Sequence, residues 1–236
     1  MQRVRTSELL DGDSGTPDEI AASLSDLARI NHWFGGVATT YSIIEYVAQK
    51  TGTRSLSVLE VGAGSGDVPR AAGERLARRG IHLQVSLLDR APSHLGNRAR
   101  DSVPRVAADA RALPFGDDSF DLVSSCLLAH HFSPQELLQL VTEGLRVARI
   151  AVLINDLVRH PMHLALGYAG WPLYRSRLTQ HDAPASIRQA YTPDEVEQIL
   201  QPAAKAGMVI RRHSLFRMGV VVWKQRLPGS LRGRDG

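Results

Sequence analysis

Residues 58–69 read VLEVGAGSGDVP, and this stretch decides the fold. A short apolar run ends at Val61, Gly62, Gly64 and Gly66 follow, and a helical pattern opens at Asp67. Glycines between a strand and a helix let the backbone turn tightly and let a ligand approach the main chain. A dinucleotide fingerprint G-x-G-x-x-G would carry its last glycine where Asp67 stands. That departure counts against a nicotinamide-dependent oxidoreductase. A glycine loop alone also serves as a plain structural turn, so its neighbours must decide.

Working outward, short apolar runs alternate with helical stretches. Residues 56–63, 82–90, 104–110, 120–129 and 149–157 read as strands, and residues 67–80 and 133–148 as helices. Such alternation predicts an α/β fold with a doubly wound, mostly parallel sheet. After a helix over 192–207, strands at 208–216 and 218–224 follow with almost no link. A parallel return needs a long crossover, so these last strands must pair antiparallel. Seven strands in a Rossmann-like sheet with a terminal antiparallel hairpin are expected.

Upstream, Ile20, Leu24, Leu27 and Ile30, then Ile43, Ile44, Tyr46 and Val47, keep a helical period broken at Gly35-Gly36. The division expected is a flexible arm (1–18), a helical cap (19–50), a main domain (51–225) with a lid insertion (157–191), and a flexible tail (226–236). The insertion holds Leu164, Leu166, Tyr168, Trp171, Leu173 and Tyr174, which suit either a hydrophobic lid or ordinary core packing.

Two acids follow the glycine loop at strand ends. Asp89 stands where a carboxylate binds both ribose hydroxyls, and Asp109 where one accepts from an adenine amino group. Glu60, two residues before the glycines, can orient the loop or meet a cationic ligand. No G-K-[ST] phosphate motif is present. The ligand read from these residues is a cationic adenosine without phosphates.

With VLEVGAGSGD, LLDRA (87–91), ADARALPFGDDSFDLV (108–123) and the terminal hairpin in place, residues 55–225 resemble the class I S-adenosylmethionine-dependent methyltransferases. The resemblance implies that Glu60, Gly62, Ala63, Gly64 and Gly66 line the methionine part of the cofactor. It places Asp89 at the ribose and Asp109 with Ala110 at the adenine, with Arg90 among the cofactor-binding residues. Cys126 and Leu127 would offer backbone contacts at the end of the fourth strand, while Asp121 would be structural.

The acceptor must lie beyond the ends of strands four and five. The Asn-Pro-Pro-Tyr tetrapeptide of base-methylating relatives is absent there, replaced by LAHH (128–131), which argues against a nucleic-acid substrate. The pattern resembles the small-molecule branch, including quinone-biosynthesis enzymes. DLARINHWFGG (26–36) and INDLVRHP (154–161) resemble methyltransferases associated with phenolic lipids and polyketides. The acceptor implied is a small, partly hydrophobic phenol or enol, methylated on a hydroxyl. Methylation on carbon and a non-catalytic binding protein are the alternatives.

An oxygen acceptor needs a base, and His131, His160 and Asp156 are the candidates, with Asp156 orienting a histidine. A metal is not expected. Adjacent histidines on a strand point to opposite faces, and no zinc motif completes a set around His160 and His163. The net charge of +4 is spread through a chain with no basic run interleaved with aromatics, so a nucleic-acid surface is not expected either. A single cysteine, no secretory leader and no long apolar run fit a cytoplasmic protein. The N-terminal helices would cap the cofactor or form a homodimer contact.

Overall fold

The computed structural model describes residues 1–12, 15–95 and 102–226. Two helices lead, α1 (Pro17–Trp33) and α2 (Gly36–Thr51), joined at the glycine pair. Then come β1 (Ser55–Val61), α3 (Asp67–Ala77), β2 (His82–Asp89), β3 (Arg105–Ala107) and β4 (Phe120–Cys126). The chain continues through α4 (Pro134–Val147), β5 (Ala148–Leu157), α5 (Pro161–Ala169), α6 (Arg177–Gln189) and α7 (Pro193–Leu200). It closes with β6 (Met208–His213) and β7 (Arg217–Trp223). Among the described residues no helix is long and apolar enough to cross a membrane.

The seven strands form one sheet in the order β3-β2-β1-β4-β5-β7-β6. β1 to β5 pair in parallel, and β7 lies antiparallel between β5 and β6, as the short hairpin link requires. The order reverses between β1 and β4, which opens a crevice at the carboxyl ends of those strands. The expected third strand shrinks to an edge piece, because Pro104 precedes it and only Leu87–Asp89 of β2 offer it partners.

Local sequence sets several helix starts. Thr16-Pro17-x-Glu19, Ser133-Pro134-x-Glu136 and Thr192-Pro193-x-Glu195 each close a capping box, with proline in the first turn. α4 buries Leu137, Leu140, Val141, Gly144 and Val147 at helical spacing. A Cβ on Gly144 would stand 2.9 Å from Val152, so the bare glycine lets α4 lie directly on β5. One core layer joins α4 and α7 to the sheet, and a second joins α2 and α3 to its other face.

The roof over the strand ends is built from α1, α5 and α6. Asp26 of α1 accepts from the amides of Arg175 (2.7 Å) and Ser176 (2.9 Å), and Ser23 meets Thr179 at 3.1 Å. These bonds dock the insertion onto the N-terminal helix. Residues 1–12, expected as an arm without fixed partners, belong to the same roof. Arg3 donates to the carbonyls of Gln189, His130 and Phe132, and Asp182 accepts from the amides of Leu9 and Leu10. Polar composition looked like a free arm because its partners lie more than a hundred residues away. The expected tail falls, apart from Arg226, outside the described residues.

Candidate active site

The crevice beyond β1 and β4 opens into a cavity of about 1000 Å³ under that roof. Its floor is the glycine loop. Gly62, Gly64 and Gly66 all take positive φ, at 65°, 51° and 72°. A Cβ on Gly62 would come within 2.8 Å of Leu128, and one on Gly66 within 2.6 Å of Leu87. The positive φ disfavours a side chain at all three, and at Gly62 and Gly66 a leucine side chain would also have to shift. Gly62, Ala63 and Gly64 face the cavity, whereas Gly66 is the left-handed residue that starts α3.

Glu60 is 1% exposed, lines the cavity, and has one carboxylate oxygen without a hydrogen-bond partner. Burial pushes its carboxyl up to about 7, against the lowering effect of a hydrogen bond with Ser124. Such a group calls for a cationic or donor-bearing ligand. Asp89 accepts from the Gly64 amide on one oxygen (2.9 Å) and from the Ala91 amide on the other (3.0 Å). Each oxygen keeps a second lone pair for a hydroxyl.

Asp109 differs from expectation in its partner: Arg111 grips it through Nη2 (2.9 Å) and Nε (3.1 Å), and that bond lowers its carboxyl. Arg111 is anchored in turn by Glu136 at 2.7 Å. Arg90 is exposed at the cavity edge and donates to the Asp11 carbonyl, while Ala110 lies on the wall. Cys126 and Leu127 are also on the wall, and Leu127 holds the strained φ of 57° that bulky residues rarely adopt. Burial pushes the Cys126 thiol up to about 12, with nearby Arg217 only partly offsetting it. Asp121 is structural, accepting from the Ser57 amide and hydroxyl.

The acid–base candidates are arranged differently from the sequence expectation. Residues Ala129–His131 form a short 3₁₀ turn, not a strand extension. The two imidazoles consequently stack, with centroids 4.2 Å apart and planes at 32°, instead of pointing to opposite faces. Asp156 orients His130, not His160: His130 Nδ1 donates to its Oδ1 at 2.6 Å and the His130 amide to Oδ2 at 3.1 Å. Burial opposes a charge on His130, yet Asp156 and Glu8 on either side outweigh it and raise the imidazole to about 10.

His160 instead caps α5, accepting from the Met162 amide at 3.1 Å, and lies exposed outside the cavity. The proline after it starts a helix, which turns its side chain back onto the backbone rather than toward Asp156. Asp156 is buried behind the wall, while His131 reaches the cavity.

Glu8, Asp11 and Arg217 were not legible in the sequence as site residues, whereas His163 was. Asp11 meets His131 Nδ1 at 2.6 Å, and Glu8 lies against both imidazoles. His163, on the cavity wall, donates from Nδ1 to the Val158 carbonyl at 3.0 Å, and burial lowers its imidazole. That tautomer leaves its Nε2 with a lone pair. Arg217, only 2% exposed, donates to Asn31 at 2.8 Å from the end of β7. The one available signal was the acidic spacing of Glu8 and Asp11 in the leading segment.

The sheet order, the glycine loop after β1 and the terminal hairpin are those of the Rossmann-like methyltransferase fold. Residues 58–150 match the family model described as methyltransferase domain. A search of the curated proteins finds no match. The plantazolicin methyltransferase BpumL, solved with a pentazolic desmethylPZN analog and SAH, is similar with a TM-score of 0.70 at 14% identity, covering 93% of this chain and 95% of that one. Human N-acetylserotonin methyltransferase in complex with SAM is similar with a TM-score of 0.60 at 11% identity, covering 86% of this chain. The chain spans 55% of that human protein's length. An Aquifex aeolicus SAM-dependent methyltransferase has a TM-score of 0.55 at 16% identity, covering 89% of this chain and 98% of that one.

Proposed function

We propose that this protein transfers a methyl group from S-adenosylmethionine to a hydroxyl of a small, partly hydrophobic acceptor of phenolic or polyketide-like type. One observation carries the reading: a single cavity is lined by the glycine loop, by the Glu8, His130 and His131 cluster, and by apolar side chains of the roof. When bound, S-adenosylmethionine supplies a methyl group on a cationic sulfonium. The unpartnered oxygen of Glu60 receives the cationic end, the Gly62–Gly64 backbone gives it room, and Asp89 takes the ribose hydroxyls. Leu24, Leu27, Leu166, Leu173 and Tyr174 line the cavity, which fits an acceptor with an apolar body.

The acceptor gives up its proton to His131 beside Glu8, with His130, held by Asp156, packed behind it. The lone pair on His163 Nε2 favours a second reading, in which that neutral imidazole is the base. The roles of Asp109 at the adenine and of Arg90 at the cofactor remain those expected from the resemblance, with Arg111 holding Asp109 in place.

Calorimetry with S-adenosylmethionine and S-adenosylhomocysteine tests the first half; absence of micromolar binding by either sinks it. A panel of phenols and acidic enols, assayed by transfer of labelled methyl, tests the second. Labelled product carrying a new C-methyl would replace oxygen with carbon as the acceptor atom. His131→Asn and His163→Asn then separate the two bases, because the true one loses about 10²–10⁴-fold in kcat while cofactor affinity holds.

A further inference from the structure

Glu8, His130 and His131 each offer one ligand-type atom, and these atoms lie within 4.8 Å of one another. His130 Nε2 lies 3.5 Å from Glu8 Oε1, and His131 Nε2 lies 3.8 Å from Glu8 Oε2. Both separations are too long for hydrogen bonds. They approach the edge of roughly 3.3 Å in a tetrahedron built on metal–ligand bonds of about 2.0–2.1 Å. His130 Nε2 is buried, its residue 2% exposed, and has no hydrogen-bond partner.

Each ligand is also held from behind. Asp156 grips His130 at Nδ1 and Asp11 grips His131 at Nδ1, both at 2.6 Å. A carboxylate at Nδ1 leaves Nε2 as the nitrogen facing Glu8 and makes it more basic toward an ion that displaces its proton, the usual backing of a metal-bound imidazole. Glu8 Oε1 accepts from Ser186 (2.6 Å) and Gln189 (2.5 Å), so the carboxylate is steadied as well. Three carboxylates around two imidazoles leave a strongly negative pocket, which one dication compensates as well as two protons do.

We infer that Glu8, His130 and His131 bind a divalent transition-metal ion of the zinc class, through the carboxylate and the two Nε2 atoms, with a fourth position open to the cavity. Two imidazoles and one carboxylate suit zinc, cobalt or iron(II) better than calcium or magnesium, which take oxygen ligands. Adjacent histidines would diverge on a strand and share no ion, but the 3₁₀ turn places these two rings face to face. Resting on the proposed function, the open position is where an acceptor oxygen approaches. A bound ion would lower the pKa of that hydroxyl, taking the place of proton acceptance by the metal-free cluster.

The test uses the full chain stripped with a chelator and titrated with cobalt(II) and zinc(II), before any acceptor is known. One ion per chain should bind at micromolar concentration or tighter, and cobalt should give the intense visible bands of a tetrahedral site. Glu8→Gln and His131→Ala, both at the cavity surface and chosen to spare the buried His130, should each weaken binding at least about tenfold. Protein that binds S-adenosylhomocysteine but shows no cobalt bands overturns the site. So does binding that neither substitution weakens. Failure to bind S-adenosylhomocysteine would instead sink the proposed function and leave the metal result standing.

Discussion

His130 Nδ1 and Asp156 Oδ1 face each other at 2.6 Å, both side chains buried, across the junction between β5 and the turn that follows β4. Burial disfavours charge on either partner, but each holds the other ionised: the imidazole is raised to about 10 and the carboxyl is lowered. The pair fixes the floor of the histidine cluster from behind the cavity wall.

Asp156→Asn should therefore cost about 3–5 kcal/mol, the usual penalty for leaving a buried charge without its partner. Urea denaturation measures it directly. Affinity for S-adenosylhomocysteine should change by only about two- to threefold, because Asp156 does not line the cavity. An unchanged denaturation midpoint would show that the pair is not the structural element described.

Glu60 sets a pH dependence. Its folded carboxyl sits at about 7 against an ordinary 4.5, so the native state keeps a proton that the unfolded chain has lost. Its stabilising contribution is complete below about 4.5 and is lost as the pH rises to about 7. A cationic cofactor reverses the preference by favouring the ionised form. Affinity for S-adenosylmethionine should rise across that window by at most about tenfold per pH unit, with protons released on binding. Glu60→Gln should flatten the profile in calorimetry. A wild-type profile as flat as the variant's would remove Glu60 from the cationic end.

The left-handed glycines can be tested on the one that does not face the ligand. Gly66→Ala adds a methyl 2.6 Å from Leu87 at a φ of 72°. Strain and overlap together should cost about 2–4 kcal/mol, lowering Tm and weakening S-adenosylhomocysteine through a displaced loop. A fully stable variant would mean that Leu87 and the loop yield easily.

Asp182 holds the leading segment by accepting from the amides of Leu9 and Leu10 at 2.9 and 3.0 Å. Asp182→Ala should release that segment and raise hydrogen exchange at those two amides by at least about tenfold, a loss near 1.4 kcal/mol of local stability. Methyl transfer should fall with it, since Glu8 and Asp11 would leave the histidines. Persistent protection would show that Arg3 and its carbonyl partners suffice.

Cys126 should behave as an inert thiol. With its pKa at about 12, less than about one part in a thousand is thiolate at pH 8–9. Iodoacetamide labelling followed by mass spectrometry should be slow in the native protein and fast in urea. Fast native labelling would contradict the burial that raises the thiol.

What the sequence determined by itself was whatever depends on near neighbours. Glycine spacing specified the loop after β1, alternating apolar runs specified the strands, and the Ser133-Pro134-x-Glu136 phrase specified where α4 begins. The short link before β7 even specified its direction. Each of these is a local rule of backbone geometry, solvation or hydrogen bonding, and so it can be read from a few consecutive residues.

Tertiary structure alone decided the partners. Asp156 is four residues from His160, yet it takes His130, because Pro161 turns His160 into a helix cap while the 3₁₀ turn brings His130 against β5. Glu8 and Asp11, in a segment whose composition suggests a free arm, complete the cluster from the far end of the chain. Buried charges are satisfied by whatever the fold brings within a few ångströms, and closeness along the chain carries almost no information about that.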